Sequence, residues 1–159
     1  MSEDDPLEIR DRRQSELAAA IQRGTGRLLR QLGHSLVTEL PLSTGRRADI
    51  VSLGGGGEVW IIEIKSSLAD FQVDAKWPEY REHCDQFYFA VSPDFPVDVL
   101  PDDTGLMLAD RYSTEIVRAA PEHKLSGARR KAVTLRFARA AALRLQTSLD
   151  PGVTSGFQD

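Results

Sequence analysis

The chain has 159 residues and a mass of 17.6 kDa, which is typical of one domain rather than two. Its 41% hydrophobic and 28% charged residues and its net charge of −4 are typical of a globular protein, and no apolar run reaches the roughly 20 residues of a membrane helix. The acidic start MSEDD is unlike a signal peptide, and a single cysteine, Cys84, excludes an internal disulfide framework. We expect a cytoplasmic protein with no membrane partner and leave its oligomeric state open.

The distribution of charge is more informative than its sum. Residues 118–144 contain eight basic side chains and one acid, Glu122, so the remaining chain is strongly acidic. A local basic surface can attract phosphate even when the whole molecule is acidic. This asymmetry is compatible with binding to nucleic acid.

The N-terminal part of the chain predicts a charged, flexible segment at 1–13, followed by a helix to about residue 32. Its apolar positions recur on one helical face: Leu17, Ile21, Leu28 and Leu32. Gly24 and Gly26 interrupt this pattern. They indicate either a kink or break in the helix or a close approach of its backbone to another surface.

Six short strands are predicted, at 34–40, 47–53, 58–66, 86–91, 104–109 and 113–117. Between the third and fourth, 69–84 is helical in parts, and Pro78 is expected to open a new helical turn. A long helix is predicted at 126–146. The whole is interpreted as one domain at 14–148 with a flexible tail at 149–159.

The second and third strands flank Gly54-Gly55-Gly56-Gly57, which predicts a β-hairpin. With a three-residue loop at 55–57, apolar residues face apolar residues and Asp49 lies opposite Glu63. Alternation along the third strand places Glu63 and Lys65 on one side of the sheet. A loop of two or four residues would place the two carboxylates on opposite faces.

Two opposed carboxylates repel each other, by roughly 4 kcal/mol at about 4 Å in an effective dielectric near 20. The repulsion could be offset by a raised pKa on one carboxyl, by Lys65 as counter-ion, or by a divalent cation such as Mg²⁺. With a cation, Asp49, Glu63 and Lys65 would form a site for phosphodiester hydrolysis. The alternative is a structural cluster of ion pairs.

The pattern of an acid on one strand and Glu63-Ile64-Lys65 on the next resembles the PD-(D/E)XK nuclease superfamily. The run RRADIVSLGGGGEVWIIEIKSSLADFQVDAKWPEYREHCDQFYFAV is similar to the MmcB-like DNA repair proteins of bacteria. The similarity extends from about residue 23 to 145. It implies an α/β fold with a restriction-endonuclease-like core, a mixed central β-sheet flanked by helices on both faces, and a role in DNA repair.

The resemblance implies catalytic roles for Asp49, Glu63 and Lys65. It also implies that Asp49 and Glu63, together with Glu16 from the first helix, hold Mg²⁺ or Mn²⁺. Ala48 stands where a proline often precedes the first acid. The Gln-x-x-x-Tyr motif of RecB-type nucleases would correspond to Lys76 and Tyr80, with Asp74 as an additional candidate acid.

The residues expected to contact DNA are Arg46, Arg47, Lys76, Tyr80, Arg129, Arg130 and Lys131. Phosphate contacts of this kind give affinity without sequence specificity. The leading hypothesis is a Mg²⁺-dependent deoxyribonuclease in DNA repair, whose partners are DNA and other repair proteins. The alternative is a catalytically silent DNA-binding or scaffold module in DNA damage tolerance.

Overall fold

A computed structural model of the protein describes residues 6–152. In chain order its elements are α1 (Pro6–Gln31), β1 (Ser35–Pro41), β2 (Arg47–Leu53), β3 (Val59–Lys65), α2 (Leu68–Val73), a 3₁₀ helix (Trp77–His83), β4 (Gln86–Val91), a short 3₁₀ turn (Val97–Val99), β5 (Gly105–Ala109), β6 (Thr114–Arg118) and α3 (Gly127–Leu149). No helix in the described part of the chain is long and apolar enough to cross a membrane.

The six strands form one mixed sheet in the order β1-β2-β3-β4-β5-β6. The first three are antiparallel neighbours, β3 to β5 run parallel, and β6 returns antiparallel to β5. The parallel crossover from β3 to β4 contains α2 and the first 3₁₀ helix. The α/β fold class predicted from the sequence, a mixed sheet with helices on both faces, is confirmed.

Two apolar clusters cover the two faces of this sheet. On one face, Val59 and Ile61 of β3 belong to the same cluster as Val133 and Phe137 of α3. On the other face, Ile62 and Ile64 of β3 belong to the same cluster as Ile21 and Leu29 of α1. Because β3 is central and covered on both faces, any charged side chain on it must find partners within the protein.

The strands agree with the predicted ranges to within one residue, because alternation and the flanking turn residues mark their ends. Pro78 does lie at the start of the 3₁₀ helix, and Ser126 caps α3 by accepting a hydrogen bond from the Arg129 N–H. The role of Pro78 was predicted from its residue type, and the predicted start of the last helix agrees with α3 to within one residue.

The first helix was predicted to follow a charged, flexible segment at 1–13, and its start is corrected, because α1 begins at Pro6. The run Glu8–Arg13 is charged but rich in Glu and Arg, which have high helix propensity, and lengthening an existing helix adds one hydrogen bond per residue. Residues 1–5 lie outside the described residues, and so do 153–159 of the predicted tail.

Gly24 and Gly26 lie within a continuous α1, so the kink or break expected there is wrong. A Cβ atom built on Gly24 would lie 1.8 Å from the carbonyl oxygen of Asp110, in the β5–β6 turn. The close approach of backbone to another surface is therefore the correct interpretation for Gly24.

Candidate active site

The β2–β3 hairpin has the predicted register. Leu53 pairs with Val59 and Val51 with Ile61, and the Gly54 N–H donates to the Glu58 carbonyl at 2.9 Å. The three-residue loop closes with Gly57 at φ +88°, a conformation that glycine adopts without strain. Continuing this register places Asp49 opposite Glu63.

The regular pairing of backbone groups ends at Ile50 and Ile62, one position before the two acids. Beyond it, side chains take the place of backbone partners. The Asp49 N–H donates to Oε1 of Glu63 at 3.0 Å, and the Ile64 N–H donates to Oδ2 of Asp49 at 2.8 Å. These reciprocal bonds hold the two carboxyl groups at one fixed place between the strands, with one oxygen of each committed to the backbone.

Lys65 continues β3 on the same side as Glu63, and both are buried, at 6% and 4% exposure. Its Nζ lies 2.7 Å from Oδ2 of Asp74, which follows α2. Asp74 also accepts the backbone N–H of Lys76 at 3.1 Å. The ammonium group is therefore anchored by a carboxylate outside the hairpin.

The pKa values of these groups show how the charges are balanced. Burial, and then the negative charge of Asp49, raises the pKa of Glu63 to about 9. Burial also raises the pKa of Asp49, although the Ile64 N–H and Lys65 oppose this. The raised pKa of Glu63 corresponds to the first of the three ways of offsetting the repulsion, in which one of the two carboxyl groups is neutral.

Lys65 remains charged. Burial alone would lower the pKa of Lys65, but the hydrogen bond and charge of Asp74 outweigh it and raise that pKa. Burial opposes ionisation of Asp74 in the same way, and its hydrogen bond to Lys65 more than compensates, so that its pKa is lowered. Lys65 is therefore suited to stabilising negative charge and unsuited to removing a proton from water.

The acids and Lys65 open into a cleft of about 610 Å³. Its lining comes from α1 (Ser15, Ala18, Ala19, Gln22), from β1 and β2 (Glu39, Arg46, Arg47, Asp49), and from β3 and the crossover (Glu63, Ile64, Lys65, Ser66, Asp70, Asp74, Tyr80). The sheet side of the cleft is therefore lined mostly by polar side chains and the helix side mostly by small ones. This leaves room for a substrate to approach the carboxylates.

Three of the predicted DNA contacts lie in this cleft. The Tyr80 hydroxyl donates to the Arg47 carbonyl at 3.0 Å, and its pKa is raised by burial and then by the charges of Glu63 and Asp49. Arg46 Nε donates to Glu79 at 2.6 Å, and Arg47 lies exposed with Nη1 3.8 Å from Glu39. Tyr80 is a fixed wall of the cleft, whereas Arg47 is the more accessible cation.

Glu16 and Lys76 do not line the cleft. The cleft side of α1 carries Ser15, Ala18 and Gln22, whereas Glu16 shares its helical face with Gly24, which packs on the β5–β6 turn. Glu16 and Lys76 are both exposed. Among residues 6–152 no group of three or more His, Cys, Asp and Glu side chains is arranged to hold a metal ion.

The predicted contacts on α3 lie at the other end of the sheet. Arg130 donates to both oxygens of buried Asp85, at 2.8 and 2.6 Å, and to the Gly57 carbonyl at 2.7 Å. Arg129 lies near Glu82, and Lys131 is exposed. Asp85 bonds to Val59, where β3 begins, and the cleft lies where β3 ends, about 20 Å away at 3.3 Å per residue.

Glu39 was not singled out by the sequence. It is a non-glycine residue at φ +50°, and it lies between the Thr38–Ile50 and Leu40–Ala48 pairs of β1 and β2, opposite Asp49. Arg144 of α3 donates to the carbonyl of Glu39 at 3.1 Å and also to that of Thr38. A left-handed residue inside a strand has no simple sequence signal, because the neighbouring strand and helix impose it.

Two adjacent carboxylates with one uncommitted oxygen each fit a hard divalent cation. Proteins hold Mg²⁺ through one or two carboxylates and leave its other positions to water or substrate phosphate. A proton on Glu63 would have to leave when a cation binds, so affinity for a cation would rise with pH. The site thus has the donor set for a two-carboxylate cation site.

Three comparisons place the chain among known proteins. A family model described as DNA repair protein MmcB-like matches residues 4–152. A solved structure of SPO1766, a protein of unknown function from Silicibacter pomeroyi, is 48% identical, with a TM-score of 0.83 over 89% of this chain and 97% of that one. No curated protein matches. The family match covers nearly the whole chain, and the chain therefore belongs to the MmcB-like family of DNA repair proteins.

Proposed function

We propose that this protein is a divalent-cation-dependent deoxyribonuclease of the PD-(D/E)XK type that hydrolyses phosphodiester bonds of DNA during repair. The observation that supports the proposal is the pair of carboxyl groups of half-buried Asp49 and buried Glu63, held at one point between β2 and β3 with Lys65 on the same side of β3 as Glu63. A strongly raised pKa on one carboxyl, as at Glu63, is expected where two carboxyl groups share a site.

The chain's own residues would act mainly by position and charge. Asp49 and Glu63 would hold Mg²⁺ or Mn²⁺, whose chemistry is Lewis-acid activation of water and of the phosphoryl oxygen. Lys65, kept charged by Asp74, would stabilise negative charge that develops on the phosphate. Arg47, exposed at the rim of the cleft, would help to position the DNA backbone.

One observation favours the second candidate, a catalytically silent DNA-binding or scaffold module. Glu16 lies outside the cleft, so that the site has two opposed carboxylates rather than the three acids expected. A site that had lost its chemistry would keep the fold and the cleft without hydrolysis. The two candidates differ in whether Lys65 is needed for a reaction.

The test is a nuclease assay of the full chain on single-stranded, duplex, flapped and abasic DNA with Mg²⁺ or Mn²⁺ at pH 8. We expect cleavage of at least one substrate and a loss of about 100-fold or more in Lys65→Ala, because removal of one electrostatic group from a transition state costs this much. Lys124→Ala is the matched control, since this lysine is exposed and lies outside the cleft, and we expect it to retain full activity.

Cation binding is measured on the same samples from the midpoint of thermal unfolding. Mn²⁺ should raise the midpoint of the wild type but not of Asp49→Asn, and Asp102→Asn, an exposed acid, serves as control. If the wild type and Lys65→Ala are equally inert on every substrate, the nuclease proposal is wrong and the scaffold function is retained.

A further inference from the structure

A second groove runs beside the cleft, between the C-terminal half of α1 and strand β1. It has a volume of about 780 Å³. Its residues are Ala19, Gln22, Arg23, Gly26, Arg27 and Arg30 from the helix and Ser35, Leu36 and Thr38 from the strand. Because β1 is the first strand of the sheet, this groove lies at the open edge of the fold.

All of the charged side chains that line the groove are positive. Arg23, Arg27 and Arg30 are exposed, and none of the lining residues is acidic. After Glu16, α1 contains no acid at all. Within residues 6–152 no carboxylate forms an ion pair with any of these three arginines.

Three of the six arginines in the basic segment 118–144 are used inside the fold. Arg118 donates to the carbonyls of Pro101 and Thr104, Arg130 holds Asp85, and Arg144 donates to carbonyls of β1. The three α1 arginines are therefore better placed to bind an external anion than these three.

The groove and the cleft are continuous. Ala19 and Gln22 line both, so a ligand lying along α1 passes from the arginines to the carboxylates without crossing another element. Arg23 and Arg30 are seven residues apart, which is about 10 Å along the helix. At about 3.4 Å per nucleotide of a stacked strand, this length matches about three phosphates.

We propose that this groove binds the sugar-phosphate backbone of a single DNA strand and leads that strand to the Asp49–Glu63 cleft. The second half of the proposal rests on the proposed function, because it names the path by which substrate enters the same site. The groove supplies Arg23, Arg27 and Arg30 as phosphate contacts, and the missing side chain of Gly26 leaves room between them.

The shape of the groove favours a single strand over a duplex. A duplex, whose major groove alone is about 12 Å wide, would meet only the rim formed by the exposed arginines, and we expect a single strand to follow the floor of the groove between α1 and β1. The lining contains no aromatic side chain on which bases could stack. Binding should therefore be strongly salt-dependent and nearly independent of base sequence.

The experiment measures binding of a fluorescent 20-nucleotide oligothymidylate to the full chain by anisotropy, in EDTA, between 50 and 200 mM salt. The variant Arg23→Gln/Arg27→Gln/Arg30→Gln should bind at least 10-fold more weakly at 50 mM salt. Its slope of log K against log salt should be smaller by about 2, since each single-strand phosphate contact contributes about 0.7. The matched control, Arg111→Gln/Lys124→Gln/Arg139→Gln, removes equal charge from exposed positions outside the groove and should bind like the wild type.

A second variant tests the opposite wall. Thr38→Glu adds an acid to the β1 side of the groove without changing any arginine, and it should also weaken binding. Equal losses in the two triple variants, or tighter binding of a duplex than of the single strand, would overturn the proposal.

Because binding is measured without a cation, its result is separate from that of the nuclease assay. Loss of binding in the α1 variant with no hydrolysis by the wild type would support the groove and contradict the proposed function. Hydrolysis at low DNA concentration that is as fast in the α1 variant as in the wild type would contradict the groove alone.

Discussion

Glu63 is an acid in the middle of a covered sheet, and its ionisation is coupled to folding. It is 4% exposed, faces Asp49, and accepts the Asp49 backbone N–H. Its pKa is raised from the ordinary value of 4.5 to about 9 by burial and by the charge of Asp49. Between these two values the folded protein keeps a proton that the unfolded chain has released, so stability must fall as the pH rises.

The variant Glu63→Gln should remove much of this pH dependence, because its amide keeps an oxygen for the Asp49 N–H and cannot ionise. Relative to wild type, the free energy of unfolding of the variant should increase from pH 5 to pH 9, by at most about 1.4 kcal/mol for each pH unit. Urea unfolding of both proteins in EDTA at pH 5, 7 and 9 measures the difference. Parallel profiles would mean that Glu63 is ionised throughout.

At the level of the single element, two glycines of α1 with similar sequence surroundings differ in the space available for a side chain. Gly24 lies against the Asp110 carbonyl, where an added Cβ would be 1.8 Å from the oxygen. At Gly26 the nearest atom is Cδ1 of Leu36 at 3.8 Å, an ordinary van der Waals contact. The first glycine is required by packing against the β5–β6 turn, and the second only lowers the helix propensity.

We therefore expect opposite effects from the same substitution. Gly24→Ala should lower the free energy of unfolding by about 1–3 kcal/mol, because the contact is with backbone that cannot move aside easily. Gly26→Ala should raise it by about 0.5–1 kcal/mol through helix propensity alone. Chemical denaturation of the two variants and the wild type measures these changes. If both substitutions shift the free energy of unfolding in the same direction, the packing argument is wrong.

The β2–β3 hairpin is the element that the sequence predicted in most detail. Four glycines and the matching of apolar residues across the strands were sufficient for the loop, the register and the opposition of Asp49 to Glu63. Local patterns decide these features, because a register error would turn a strand's apolar side chains to the wrong face. The anchoring of Lys65 by Asp74 depended instead on how the crossover folds back onto β3.

At the scale of the whole molecule, Asp85 connects elements that are distant in sequence. Its carboxylate accepts the N–H groups of Val59 and Leu125 and both terminal nitrogens of Arg130, which also reaches the Gly57 carbonyl. Burial alone would raise the pKa of Asp85, but Arg130 and the two N–H groups lower it. This cluster ties α3 to the start of β3 and to the hairpin loop.

Arg130→Ala should destabilise the protein by about 3 kcal/mol, because it leaves the Asp85 carboxylate buried without its cation. Arg129→Ala, next to it but exposed, should change the free energy of unfolding by no more than about 0.5 kcal/mol. Urea unfolding at pH 7 compares the two. A small effect of both would show that water replaces the guanidinium group at Asp85.

Local patterns in the sequence were sufficient to predict the strands, the hairpin register and the two carboxylates with their neighbouring lysine, because period-two patterning and turn chemistry act over a few residues. The packing of distant elements onto one another settled which partners the charged side chains have. It committed Arg130 to Asp85, turned Glu16 away from the cleft and left the α1 arginines open along a groove. A charge in the sequence carries no information about its partner, since ion pairs form between elements whose approach is set by the packing of the whole core.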